Sequence, residues 1–408
     1  MTSPIAVPAL RRDVVLLATA DWDHPFWTNK QHVARALAEL GHRVLYVESL
    51  GLRPPRLEAQ DLRRIGRRLM RGSRPPRRVA PGLWVWSPLL IPAPRSAWQR
   101  RLNRWLFSAL LALWRRWLGL KPDLFWTYNP LSGQLLDLDY SGFRQLVYHC
   151  VDDLTAQPCM PAEEIAVEEA RLCGLCDQVF VTAPELLRSR GALNPHTSFY
   201  PNVADIQHFA TARDQKLPLA ADLQAIPGPR LGFIGAVSAY KLDLELLQRL
   251  ARHRPDCQLV LIGRVGEGDP STDLGALRAL ANVHLLGPRP YGDLPAYLRG
   301  FDLALLPCPI NAYTRSMFPL KFFEYVAAGV PVVATALPAL EDFGHLAHLC
   351  ADASAYLAAV DALLAAAPGQ AIRAPIPLAE LPPWCSYRGR TEAMVAELSR
   401  RLAAPAPG

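Results

Sequence analysis

The chain has 408 residues, half of them hydrophobic and a fifth charged, with a formal net charge of +7. That length allows two or three domains and makes a minimal binding module a poor fit, while the composition excludes a disordered, fibrous or collagen-like chain. The charge is local: residues 53–121 hold 17 Lys and Arg against Glu58 and Asp61 alone, which turns one surface toward an anionic partner.

From the N-terminus, Arg11, Arg12 and Asp13 precede the first apolar stretch, unlike a secretory signal, and no apolar run approaches the roughly 18 residues of a membrane span. A cytoplasmic protein is expected. DVVLLATA (13–20) reads as a buried strand, NKQHVARALAELG (29–41) as a helix closed by Gly41, and HRVLYVES (42–49) as the next strand, a crossover that opens a parallel sheet. The arginine-dense segment 61–78 suits any polyanion. Residues 96–118, SAWQRRLNRWLFSALLALWRRWL, place Trp98, Leu102, Trp105, Leu106, Ala109, Leu110, Leu113 and Trp117 on one helical stripe. Arg100, Arg101, Arg104, Arg115 and Arg116 flank it, as an interfacial helix on an anionic leaflet requires. The plainer alternative is a core-facing helix with solvated arginines. Nucleic acid is not an expected partner, because the tryptophans share their stripe with leucines instead of interleaving with basic residues.

LVYHC (146–150), QVFVTA (178–183) and TSFYPN (197–202) are further strands, with the acidic-started helix PAEEIAVEEARLCGL between the first two. Residues 1–208 thus form one α/β domain with a basic amphipathic insertion at 53–121, followed by a polar, proline-bearing linker at 209–229. The pattern then restarts: RLGFIGAV (230–237), CQLVLIG (257–263), NVHLLG (282–287), FDLALLP (301–307) and VPVVAT (330–335) alternate with helices such as LDLELLQRLARH (242–253). Residues 230–383 form a second doubly wound domain, and 384–408 a terminal helix and tail packing back across the domains, with helical spacing at Met394, Leu398 and Leu402.

Ligands of open α/β sheets bind at the C-terminal strand edge, where Asp21, Asp23 and His24 follow the first strand and His149, Asp152 and Asp153 close a later one. Loop capping explains each of these equally well. Asp21-Trp22-Asp23 spells Asp-x-Asp but follows the very first strand, and Cys173 and Cys176 form a lone CxxC inside a helix, so no metal is expected. The eight cysteines read as small buried hydrophobes. The most informative segment is SMFPLKFFEYVAAGVPVVAT, Ser316 to Thr335. Pro319 suits a first helical turn and Gly329 its end, but a generic repeat does not explain Lys321 with Glu324 beside a helix start able to hold phosphate.

That stretch resembles the nucleotide-sugar signature of the GT-B glycosyltransferases, in particular retaining enzymes of bacterial polysaccharide and teichuronic acid assembly. The resemblance extends over Trp22, Asp23, Gln31 and His32 with HRVLYVE, then YHCVDD (148–153), PNVADIQHF (201–209), FIGAVSAYK (233–241) and YGDLPAYLRGFDLALLP (291–307), in family order. It implies two Rossmann-like domains facing a cleft and sugar transfer from a nucleotide-sugar donor, a UDP-sugar, to a membrane-associated glycan or lipid-linked acceptor on the inner face of the cytoplasmic membrane. Glu324 matches the glutamate that holds the donor ribose, and Lys241 the base on the donor diphosphate. Phe318, Pro319, Leu320, Gly235 and Arg264 join the donor side, Lys321 supports the charge, and His149 and Asp152 are implied on the catalytic side. Asp21, Asp23, His24 and Asp153 are acceptor-side candidates, and Trp98, Arg101, Trp105, Arg116 and Trp117 face the membrane. No cofactor is implied, because lysines and helix amides can stabilise the leaving diphosphate without a metal. Two departures stand out: Ser316 occupies the place of another family glutamate, and Ala236 or Val237 the place of an arginine. A UDP-sugar epimerase of the same fold and a catalytically idle scaffold are the rival readings.

Overall fold

The computed structural model describes residues 11–24, 27–49, 72, 74–91, 96–135, 142–365 and 377–403. Two sheets organise it. The first contains β1 (Asp13–Leu17), β2 (Arg43–Val47), β3 (Arg77–Ala80), β4 (Leu83–Trp86), β5 (Leu124–Thr127), β6 (Gln145–Cys150), β7 (Gln178–Val181) and β8 (Thr197–Phe199). Their order is β3-β4-β2-β1-β5-β6-β7-β8, parallel throughout except for the antiparallel β3–β4 edge. The second contains β9 (Arg230–Ile234), β10 (Gln258–Ile262), β11 (Val283–Leu285), β12 (Leu303–Leu306), β13 (Val332–Thr335) and β14 (His348–Cys350), in the order β11-β10-β9-β12-β13-β14 and all parallel. In each sheet the central strands are fully buried apolar runs, as strands covered on both faces must be.

Helix α1 (Asn29–Glu39) connects β1 to β2, and its start is fixed by a capping box between Thr28 and Gln31. Helix α2 (Ala97–Trp117) has a second such box between Ser96 and Gln99 and delivers the chain to β5. Helix α3 (Ala162–Leu175) covers β6 and carries Glu163 and Glu164 in its first turn. In the second domain, α4 (Leu244–His253) is capped by Asp243, and α5 (Lys321–Ala328) ends on Gly329 at φ 78°, the left-handed position glycine occupies without strain. The terminal helix α6 (Tyr387–Ala403) returns to the first domain, where Met394, Val395 and Leu398 join the core cluster formed by β1, β2 and α1.

Four strands go beyond the sequence expectation. The β3–β4 hairpin lies within the basic segment, β5 was hidden behind Lys121, Pro122 and Asp123, and β14 is three residues long. The segment 53–121 is therefore only partly an insertion: β4 pairs in parallel with β2, so it belongs to the sheet. Most of the arginine-dense stretch, residues 61–71 and 73, lies outside the described residues. Cys173 and Cys176 are buried, their carbonyl oxygens accepting from Asn194 Nδ2 at 2.7 Å each, which fits core packing. The linker is built into the second domain: Arg213 donates to the Ala327 and Val326 carbonyls at the end of α5, and Asp222 binds Arg289 and Tyr297.

Candidate active site

The C-terminal edges of the two sheets meet. Beyond β9 the chain turns through Gly235 to Lys241, and beyond β10 through Gly263, whose φ is +152°. A Cβ on Gly263 would lie 1.6 Å from the Gly235 carbonyl oxygen, so the two strand ends approach as only glycine permits. Gly235 donates its N–H to the Ile262 carbonyl, and the Arg264 carbonyl accepts from Val237, while the Arg264 side chain is exposed. Lys241 sits between two rings, its Nζ 5.1 Å from the Tyr240 centroid and 5.3 Å from that of Tyr313. Asn311 fixes this turn by donating to the Tyr240 carbonyl at 2.9 Å.

Helix α5 is pinned to the same edge. The Tyr325 hydroxyl, fully buried, accepts from the Ile234 N–H at 2.8 Å and donates to the Ile234 carbonyl at 3.2 Å. These bonds tie α5 to the last residue of β9, which leads to Lys241. Glu324 is 7% exposed, and its Oε2 receives Lys321 Nζ at 2.7 Å across one helical turn. Burial pushes the Glu324 carboxyl up, and the Lys321 charge opposes it without cancelling it. His208 and Asp205, from the PNVADIQHF segment, add smaller opposing effects on that carboxyl, and the His208 ring stacks on Tyr291 at 4.7 Å. Phe318 is buried against Phe323, and Pro319 and Leu320 lead into α5. Ser316 is buried and ends the short helix Ala312–Arg315.

Two polar links join the domains at this edge. The Tyr313 hydroxyl donates to Asp152 Oδ1 at 3.0 Å, so Lys241, Tyr313 and Asp152 form a line from one domain to the other. Asn202 Nδ2 donates to the Phe318 carbonyl at 2.7 Å, and Asn202 Oδ1 accepts from Asn29 Nδ2 at 2.7 Å. Arg390 of α6, fully buried, donates to Asn29 Oδ1 at 2.6 Å and to the Pro201 carbonyl at 2.9 Å. A buried chain of hydrogen bonds thus runs from α6 through α1 to Phe318, three residues before the start of α5.

On the first-domain side the structure separates residues that sequence reasoning grouped. Asp152 faces the second domain. Asp153 instead caps the turn after it, accepting from the Thr155 N–H and hydroxyl, with Arg190 Nη2 3.4 Å away. His149 corrects the expectation that it faces the cleft: it lies within β6, is 0% exposed, and its ring packs among Trp126, Tyr128 and Phe180. Burial drives its pKa well below the usual value, so it is neutral. Asp23 pairs with Arg77 of β3 at 2.6 Å on an exposed surface, and Asp21 uses its backbone carbonyl to accept from His24 N–H and Gln31 Nε2. Their loop is braced by buried Glu48, which accepts from the Trp22 N–H and from Ser87. Lys30 was missed by the sequence reading. It lies in the first turn of α1, half-buried above the Tyr128 ring, and burial lowers its pKa, with Asp152 opposing that shift and Lys241 adding to it. A lysine in the first turn of a helix gives no periodic signal, which is why its position had to come from the fold.

Helix α2 lies apart from this cleft and has three faces. Asn103, Phe107 and Leu111 are buried, with Leu110 and Trp114 packed against the core. Trp98, Trp105 and Trp117 are 62%, 65% and 61% exposed, in line with exposed Leu102 and Leu113. The single stripe expected from sequence is thus divided: Leu110 packs inward, and the tryptophans turn out. Arg101 and Arg116 are exposed beside them. No helix among the described residues is long and apolar enough to cross a membrane.

Two parallel Rossmann-like sheets meeting edge to edge, with a helix crossing back, define a GT-B protein. Residues 228–366 match the family described as Glycosyl transferases group 1. Over 238 residues the chain is 29% identical to the candidate teichuronic acid biosynthesis glycosyltransferase TuaH of Bacillus subtilis (strain 168). The match takes in 54% of this chain and 57% of TuaH, so the chain spans little more than half the length of that curated relative. Among solved structures it resembles the sucrose-phosphate synthase of Thermosynechococcus elongatus with a TM-score of 0.64 and 18% identity, covering 96% of this chain and 98% of that one. It likewise resembles Anabaena HepE in complex with UDP and glucose, with a TM-score of 0.61, 13% identity and the same coverage.

Proposed function

We propose that the chain is a glycosyltransferase of cell-surface polysaccharide assembly, moving a sugar with retention from a nucleotide-sugar donor, a UDP-sugar, to a membrane-associated glycan or lipid-linked acceptor. The observation that carries this is Glu324, a buried carboxylate paired with Lys321 in the first turn of a helix bolted to the strand that presents Lys241. Glu324 binds the donor ribose. Departure of the nucleoside diphosphate develops negative charge on its terminal phosphate, which Lys241, Lys321 and the amides around Phe318 to Leu320 stabilise. Asp152, across the cleft and held by Tyr313, orients the acceptor side, and Lys30 adds a second cation there. His149, buried among Trp126, Tyr128 and Phe180, has no access to a substrate and takes no part in the transfer.

HepE, with its bound UDP and glucose, and TuaH, with its teichuronic acid name, support the donor and polysaccharide parts of this reading. The exposed tryptophans of α2 support an acceptor at a membrane, since aromatic residues at that level of exposure suit a bilayer interface. On this view the protein works at the inner face of the cytoplasmic membrane. The test is transfer of radiolabelled sugar from a panel of nucleotide sugars into a bacterial membrane-lipid extract, with EDTA present. Label in the lipid or glycan fraction is the expected result. Interconversion of the free nucleotide sugar without transfer would support an epimerase instead.

A further inference from the structure

Outside the cleft, the first domain contains a pocket of about 320 Å³ where the N-terminal half of α2 meets α3. Its walls include Arg100, Arg101, Arg104 and Arg171, against the single carboxylate of Glu168 and the amide of Gln134. Four arginines from two helices line one space. Glu168 holds Arg171 at 3.1 Å, and Gln134 is tied to Glu164 at 2.8 Å, so the α3 wall is braced. The volume is at the small end for ligand pockets, enough for a phosphate with a glycerol-sized substituent and too small for a polymer strand.

The helix geometry decides what the pocket faces. Arg101 stands three residues after Trp98 and four before Trp105, so it is their neighbour on the helix surface, while Arg100 and Arg104 line the next row toward the core. The arginine row therefore lies between the buried face and the tryptophan face. A free anion would use the first feature and leave the second unexplained. An amphiphile uses both, with its charged head among guanidinium groups and its chains against exposed indoles.

We propose that this pocket binds the phosphodiester headgroup of an anionic bilayer lipid, with Trp98 and Trp105 seated at the boundary between headgroups and acyl chains. The assignment rests on the membrane part of the function proposed above and adds to it a defined headgroup site. The full chain is titrated calorimetrically with dihexanoyl phosphatidylglycerol kept monomeric, and separately with inorganic phosphate. In parallel it is sedimented with vesicles of phosphatidylglycerol and phosphatidylcholine. R101Q/R171Q should bind the monomeric lipid roughly 25-fold more weakly, about fivefold per arginine. R116Q, which removes one charge outside the pocket, should stay within about twofold, because a single lipid molecule presents no extended surface field. Far-ultraviolet dichroism of each variant checks folding, which substitution of exposed side chains should leave intact. A loss of about fivefold in R116Q, as large per arginine as that in R101Q/R171Q, would overturn the site and leave the membrane reading standing. Inorganic phosphate binding as tightly as the lipid would also overturn it. A wild-type protein that stays in the supernatant with phosphatidylglycerol vesicles would overturn the membrane reading and the site together.

Discussion

Helices α2 and α5 depart from the ordinary sorting of side chains in opposite directions. In α5 a glutamate is buried among Phe322, Phe323 and Tyr325, and in α2 three tryptophans and two leucines are left in water. Folding alone favours neither arrangement, since burying a carboxylate is costly and exposing indole forfeits burial of a large apolar surface. Each departure is maintained by rigid surroundings: Tyr325 and Arg213 hold the C-terminal half of α5, and Phe107, Leu111 and Asn103 anchor α2 by its other face. Under the proposed function, the second domain works through buried charge and the first through exposed apolar area.

The strongest way to break this contrast is at the charges of the second domain. Lys241→Ala and Lys321→Ala should each lower kcat by about 100- to 1,000-fold while changing donor affinity far less, because the diphosphate gains charge on the way to the transition state. Steady-state kinetics with varied donor checks this, and an equal effect on KM alone would reduce both residues to simple binding groups. Glu324→Ala should weaken nucleotide binding by roughly 10- to 150-fold, the value of a hydrogen bond to a charged group. Calorimetry reads it directly, and thermal melting should show the fold retained.

In the first domain the contrast predicts binding effects without folding effects. Replacing Trp98, Trp105 and Trp117 together by alanine should reduce partition onto phosphatidylglycerol vesicles roughly tenfold or more, even at low salt, and leave the melting temperature almost unchanged. A large drop in melting temperature would mean that these side chains belong to a core. The smallest expected effect lies where the domains meet. His32 stacks on Tyr387 of α6 at 4.0 Å, and burial, aided by the Arg390 charge, lowers its pKa from 6.5 to about 3. The folded state therefore resists a proton that the unfolded chain accepts. The stability this residue secures is complete above pH 6.5 and is lost as the pH falls from there toward 3. His32→Phe keeps the stack and removes the titration, so it should recover about 2 kcal/mol of the stability lost at pH 5, measured by urea unfolding. Burial lowers the pKa values of His149 and His42 as well, which act on stability in the same direction.

The fold was legible because both sheets are parallel and covered: runs such as DVVLL, QLVLI and LALL are continuous apolar segments between helices with 3.6-residue spacing. Strand β5, LFWT, was passed over because four residues carry too little pattern, and β3 because its sequence, RRVA, is charged at an edge. In the site, Lys241, Lys321 and Glu324 were found through the family signature, which marks positions on one local segment or one loop. Tyr313, Asn202, Lys30 and Arg390 were not, because their roles depend on contacts between residues more than 100 positions apart. His149 was misjudged for a related reason: a strand that ends at Cys150 places residue 149 inside the sheet, one step short of the edge.

The central claim is that Glu324, Lys321 and Lys241 form a donor site that expels a nucleoside diphosphate. The most direct measurement is release of that diphosphate from nucleotide sugars by the full chain in the presence of membrane lipids, comparing the wild type with Lys241→Ala. The account predicts release by the wild type from at least one donor, a UDP-sugar first among them, and loss of at least 99% of that rate in the variant, the lower bound of about 100-fold set by removing one transition-state charge partner. Release at the same rate from both proteins, or nucleotide binding by the wild type with no release from any donor, would contradict it.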